Sequence, residues 1–221
     1  MLLYKISPDI EAFSTNIGDS TDFEVVLPLH QAHTALVRRV PEEIDDITGV
    51  DALITDRKGL RIGVKTADCV PVLVYDPVHH AAAAIHSGWK GTAQNIIRAA
   101  LTRLSEEFGT IPGDVRAVIG PCIHEEAFEV GEELVDIFRG ETEAEDYPFA
   151  HRLPHPETGF IKWHIDLPGI CRRQLVDCGV CDDAIETRPE CTWTKHDAFF
   201  SARRLGKDFG SQRILNCIKL L

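Results

Sequence analysis

The segment from Lys65 to Gly91, KTADCVPVLVYDPVHHAAAAIHSGWKG, constrains the fold more than any other stretch of the chain. It holds two apolar runs, Val70–Tyr75 and Ala81–His86, separated by a short turn-forming segment. Runs of this length bounded by Asp, Pro and Gly read as strands. Joined through the Asp76–His79 turn as neighbouring antiparallel strands, they bring their far ends together. Cys69, which opens the first, and His86, which closes the second, would then reach a common ligand.

Around this hairpin, further strand-like runs cover Phe23–Leu27, Ala35–Val40, Ala52–Thr55 and Leu60–Lys65. From Thr92 the period changes: Ile96, Ile97, Ala100, Leu101, Leu104 and Phe108 share one helical face, and Gly109 is placed to end the helix. Val115–Ile119 reads as a strand, Glu132–Phe138 as a short helix, and Asp166 with Pro168 as the start of a helix reaching about Cys178. The tail from Phe199 returns to strand, with Arg213–Leu220 expected to enter the sheet. The acidic stretch Gly140 to Asp146 reads as a solvated loop. With no repeat or linker, residues 1–221 are expected to form a single α+β domain with mixed β-sheets flanked by helices.

The charge balance narrows the partners. Lys and Arg number 23 against 35 Asp and Glu, giving a formal net charge of −12, whereas nucleic acid and anionic membranes require a basic footprint. A small-molecule partner is expected. The first twenty residues do not read as a signal peptide, and no apolar run approaches the roughly 20 residues of a membrane helix, so a cytoplasmic protein is expected. Its seven cysteines then read as reduced thiols, one or more of which could bind metal.

A third ligand for Cys69 and His86 could come from Leu29-His30-Gln31-Ala32-His33. If His33 joins them, the set is two histidines and one cysteine with an open position, as at a catalytic rather than a structural zinc. Cys69 also reads as a small buried hydrophobe and His86 as an ordinary strand-end histidine. Asp68 could orient a histidine or accept a proton, or simply serve the turn. After His86, Ser87-Gly88-Trp89-Lys90-Gly91 leads into a helix N-terminus where backbone N–H groups and Lys90 could hold an anion.

Several segments together carry a resemblance: Gln31-Ala32-His33, Thr66-Ala67-Asp68-Cys69-Val70-Pro71-Val72, His86-Ser87-Gly88-Trp89-Lys90-Gly91, Gly120-Pro121-Cys122-Ile123, Phe128-Glu129-Val130-Gly131 and Phe199-Phe200-Ser201-Ala202-Arg203-Arg204. In order, they resemble the YfiH-like family, also called laccase-domain or polyphenol oxidase proteins. The resemblance implies a zinc or copper site at His33, Cys69 and His86, on a single α+β domain. It also implies phosphorolysis of adenosine, inosine and methylthioadenosine, with adenosine deamination as a second activity. The partners would be a purine nucleoside and phosphate, and Lys90, Arg203 and Arg204 are the expected phosphate or ribose contacts. Two departures stand out. Asn16 replaces an arginine usual after Phe-Ser-Thr, with a long loop before His33 missing, and Ala202 replaces an aromatic before the arginine pair.

Blue-copper laccase chemistry fits poorly, since none of the ten histidines forms a His-x-His pair and the single methionine is Met1. Slow phenol oxidation at one copper, a cysteine hydrolase with Cys69 as nucleophile, His86 as base and Asp68 or another acid as orienter, and a non-enzymatic metal-dependent binding module are the alternatives. His124 and Glu125 could line the same cleft, and His79 and His80 are expected to be exposed at the hairpin tip. Cys178-Gly-Val-Cys181 reads as the end of a helix rather than a zinc knuckle with Cys191 and His196.

Overall fold

A computed structural model describes residues 1–42, 47–140, 147–155, 157–208 and 210–221. Apart from Gly140, the acidic loop expected at Gly140 to Asp146 lies outside the described residues. The first half of the chain contains β1 (Leu2–Tyr4), β2 (Ile10–Ser14), β3 (Val37–Arg39), β4 (Ala52–Thr55), β5 (Arg61–Thr66), β6 (Val70–Asp76), β7 (Ala81–Ser87), α1 (Trp89–Ala93) and α2 (Ile96–Phe108). The second half contains β8 (Arg116–Ile119), β9 (Glu129–Val130), α3 (Glu132–Arg139), β10 (Ala150–Pro154), β11 (Ile161–Ile165), α4 (Leu167–Asp177), β12 (Ile185–Thr187), α5 (Ala202–Leu205) and β13 (Ile214–Leu220).

A central mixed sheet has the order β12-β8-β6-β7-β4-β3, parallel at its two outer pairs and antiparallel inside. The antiparallel sheet β1-β2-β13-β5 covers one of its faces, and α2 and α4 cover the other. The unbroken apolar character of β6 and β7 follows from this layering, because successive side chains of a strand point to opposite faces. Val72, Val74, Ala83 and Ile85 meet Ile96, Ile97 and Leu104 of α2. Leu73, Tyr75, Ala82 and Ala84 pack with Ile62, Val64 and Ile218 of the second sheet. A third, smaller sheet, β10-β11-β9, is hydrogen-bonded to neither and packs Ala150, Trp163 and Ile165 into the core on the helical side.

The mixed α+β class and the β6–β7 hairpin are as expected, with Val70 opposite Ser87 and Asp76 opposite Ala81. α2 ends at Gly109 in the left-handed region, φ 77°, and Asp166 caps α4 by accepting from the Gly169 amide at 2.9 Å. The strand expected at Phe23–Leu27 is a correction: only Val26 makes a bridge, to Ile62. Pro28, which has no N–H to donate, follows at once. Ala35–Val40 contracts to β3, and the N-terminal strands β1 and β2 were not anticipated. Among the described residues, no helix is long and apolar enough to cross a membrane.

Candidate metal centre

Three strand ends meet at one edge of the central sheet. Register places Pro71 opposite His86 and Ala52 opposite Ile85, so Cys69 precedes β6, His86 nears the end of β7, and Asp51 precedes β4. The His86 amide donates to the Asp51 carbonyl at 2.7 Å, extending the β4–β7 ladder to the site. His33 arrives from the loop before β3. The ligand atoms of His33, Cys69 and His86 lie within 4.8 Å of one another, with Cys69 Sγ 3.9 Å from His33 Nε2. Among the described residues, this is the one such convergence of three or more His, Cys, Asp or Glu side chains.

Asp51, which the sequence reading missed, organises the group. It is fully buried, and its carboxylate accepts from His86 Nδ1 at 2.7 Å and from the amides of Ala32, His33 and Thr34. The Thr34 hydroxyl donates to it as well, at 2.8 Å. Those amides hold His33 in the left-handed region, φ 58°, which is uncommon for a residue other than glycine. Burial alone would raise the Asp51 carboxyl, but the His86 and Thr34 bonds outweigh it and bring it down to about 2. An ionised carboxylate can only accept, so Nδ1 of His86 carries a proton, and Nε2 is the nitrogen that offers a lone pair once the ring is neutral.

The same electrostatics act on the sulfur. Burial pushes the Cys69 thiol up, yet hydrogen bonds from His33 and His86 prevail and lower it to about 7. Burial lowers His86, while Asp51 and Cys69 raise it to about 9. Gly88 leaves the room these groups occupy: a Cβ there would stand 2.8 Å from His33 Cδ2 and 3.0 Å from Cys69 Sγ. The donor set suits a four-coordinate zinc with one position open, two imidazoles and a readily ionised thiol with one histidine already tautomerically fixed. His33 is exposed and His86 buried, so the group opens on one side into a cleft of about 500 Å³.

The other expected site residues have different surroundings. Asp68, φ 85°, accepts from the Thr192 hydroxyl and the Arg203 amide, both at 2.7 Å, so its carboxylate ties the turn before β6 to two distant loops. Lys90 lies over the Trp89 ring on α1, a helix of only five residues. Arg203 donates to the Glu129 carbonyl and covers Phe128, while Arg204 donates to the Trp193 carbonyl and stacks on that ring. None of these four residues lines the cleft, and neither do His124 and Glu125. Glu125 pairs instead with His151, and its carbonyl accepts from the fully buried His164. His79 at the hairpin tip is held by Asp76. Gly179, φ 100°, closes α4 as expected, and Cys178 and Cys181 join no converging ligand group among the described residues.

Comparison with known proteins places the chain among named relatives. The sequence matches the family described as "Multi-copper polyphenol oxidoreductase laccase" over residues 10–220. It is 48% identical over 172 residues to a purine nucleoside phosphorylase of Bacteroides thetaiotaomicron, covering 78% of this chain and 61% of the relative. The chain thus spans about three fifths of that protein's length. It is 36% identical over 197 residues to the adenosine deaminase RL5 of an unknown prokaryotic organism, covering 85% of this chain and 72% of the relative. The crystal structure of a hypothetical protein YfiH from Bacillus licheniformis superposes with a TM-score of 0.77 at 31% identity, covering 89% of this chain and 74% of the other.

Proposed function

The chain belongs to the YfiH-like, laccase-domain family, and within it we propose a metal-dependent purine nucleoside phosphorylase with adenosine deamination as a second activity. Adenosine, inosine and methylthioadenosine are the proposed substrates, zinc the proposed metal, and copper its alternative. The observation that carries this reading is the convergence of His33, Cys69 and His86 at one wall of an open cleft. A cleft of this size suits a nucleoside. Zinc held there would supply Lewis acidity toward the purine and toward water attacking its C6.

The chain's own residues prepare the site. Asp51 keeps the His86 proton on Nδ1 and, through three amides, fixes the loop that carries His33. Cys69 ionises near neutral pH because two imidazoles face its sulfur. In phosphorolysis a phosphate oxygen bonds to C1′ as the C1′–N9 bond breaks. The electron pair leaves with the purine, and the proton of hydrogen phosphate ends on the base.

One observation also favours the cysteine hydrolase: Asp51, His86 and Cys69 form an acid–base–thiol chain, with Asp51 rather than Asp68 as orienter. The position of His33 beside the same sulfur favours the metal. Chelation separates the two readings. Purified protein incubated with adenosine and phosphate should release adenine and ribose 1-phosphate, lose that activity to a zinc chelator and recover it with added zinc. Turnover indifferent to chelation but abolished by alkylating Cys69 would favour the hydrolase, and release of neither adenine nor inosine would remove the nucleoside reading.

A further inference from the structure

We infer that Asp68 is a positioning residue for Cys69: its carboxylate and its backbone carbonyl pin the turn that sets the sulfur against His33 and His86, and it takes no part in proton transfer. The inference rests on the metal reading of Cys69. Asp68 immediately precedes Cys69 and lies at φ 85°, in the left-handed region that residues other than glycine rarely adopt. Such a conformation persists only where its surroundings over-determine it. Three separate segments do so here. The Ile123 amide donates to the Asp68 carbonyl at 2.9 Å, the Thr192 hydroxyl donates to Oδ1 at 2.7 Å, and the Arg203 amide donates to Oδ2 at 2.7 Å.

The anchors are themselves fixed. Ile123 and Thr192 follow the two residues of the Cys122–Cys191 bridge, where the Thr192 amide donates to the Cys122 carbonyl at 2.8 Å, and Thr192 is fully buried. The Arg203 amide belongs to the first turn of α5, whose donors have no partner within the helix, and the neighbouring Arg204 amide goes to the Ser201 hydroxyl at 3.1 Å. Asp68 thus caps α5 from a distant part of the chain. α5 opens at Ala202, which lines the cleft beside Cys69, so one carboxylate ties the turn that carries the sulfur to that part of the cleft wall. The same contacts set Asp68 apart from an acid or base. Each of its oxygens already holds a donor, the residue is 9% exposed, and it does not line the cleft. A group that exchanges a proton with substrate must come within hydrogen-bond reach of it, directly or through one water.

Zinc affinity by chelator competition tests the assignment, together with the thiolate charge-transfer band of cobalt-loaded protein, which reports on the bond to sulfur. Wild type should show a band that Cys69→Ala lacks. Asp68→Ala removes both side-chain ties and disfavours the left-handed turn, so it should weaken the band and lower zinc affinity at least about tenfold, as loss of a ligand's outer partner does. Asp68→Asn should restore the band and recover affinity to within about twofold of wild type, since Asn tolerates positive φ and can accept from the Arg203 amide while donating to the Thr192 hydroxyl. Thr192→Val removes one tie without touching the turn and should lower affinity at least about threefold, because a buried hydrogen bond is left unmade. Thermal melting identifies a variant that fails to fold, and if Asp68→Ala does, Thr192→Val decides. A lowered melting temperature with affinity and band unchanged in the deciding variant would make Asp68 a purely structural residue and overturn the assignment. So would Asp68→Asn protein that binds zinc as wild type does yet turns adenosine over at least about a hundredfold more slowly, the mark of a carboxylate that moves a proton. No thiolate band in wild type would remove the metal reading of Cys69 and this assignment with it, whereas a wild-type band that the variants leave intact removes the assignment alone.

Discussion

Asp51 joins two of the three proposed metal ligands through a single carboxylate, so the smallest change there has the widest effect at the site. Asp51→Asn preserves shape but offers an amide group toward His86 Nδ1 or toward the loop amides. Loss of such an outer carboxylate typically lowers metal affinity about 10–100-fold. Chelator competition should show a loss of that size with the circular dichroism of the fold retained; unchanged affinity would mean that Asp51 only stabilises the loop. Gly88 makes a complementary test. In Gly88→Ala the new Cβ meets His33 and Cys69 within 3.0 Å, so bound zinc should fall well below one per chain while the unfolding temperature stays close to wild type. Full zinc occupancy in that variant would show that the three ligands close elsewhere. Cys69 and His86 could be read from a local pattern, because a hairpin brings its own ends together. Asp51 could not: it stands 35 residues from His86 in an unremarkable Val-Asp-Ala run, and only the β4–β7 register reveals it.

The elements that read most easily are those whose apolar pattern has one outcome. β6, β7 and α2 are buried along their length or along a full face, so their periodicity survives folding intact. The third sheet carries the opposite signal. β10, Ala-His-Arg-Leu-Pro, is largely exposed and mixes charge with apolar residues, which leaves neither a period of two nor one of 3.6. The turn of the β6–β7 hairpin offers a test at this scale. Burial would raise the Asp76 carboxyl, but the Thr110 hydroxyl beside it, the amides of His79 and Val78 and the His79 ring outweigh burial, so the folded chain holds it below the ordinary 3.8. Protonating Asp76 therefore costs more in the folded state than in the unfolded one. Its contribution is complete above about pH 4 and disappears as pH falls through the lower folded value. Denaturant melts of wild type and Asp76→Asn should differ near neutral pH and converge toward pH 3. A gap independent of pH would mean that the carboxylate's charge contributes nothing to the turn.

At the scale of the molecule, two sheets and a helical layer bury the hairpin on both faces and leave its end open, where the three candidate metal ligands and the cleft coincide. Fold class and the His33, Cys69 and His86 grouping were legible in the sequence because both rest on strands with unambiguous patterns and on a motif-level family resemblance. The expected phosphate contacts, Lys90, Arg203 and Arg204, lie within the segments that carry the family resemblance, and the fold packs these side chains against aromatic rings. The most direct test measures metal content and adenosine turnover on one preparation, with and without phosphate, in wild type and Cys69→Ala. One zinc per chain and phosphate-dependent adenine release in wild type, both lost in the variant, is the result the account predicts. Full zinc content in Cys69→Ala, or turnover that survives it, would contradict a metal centre built on that thiolate.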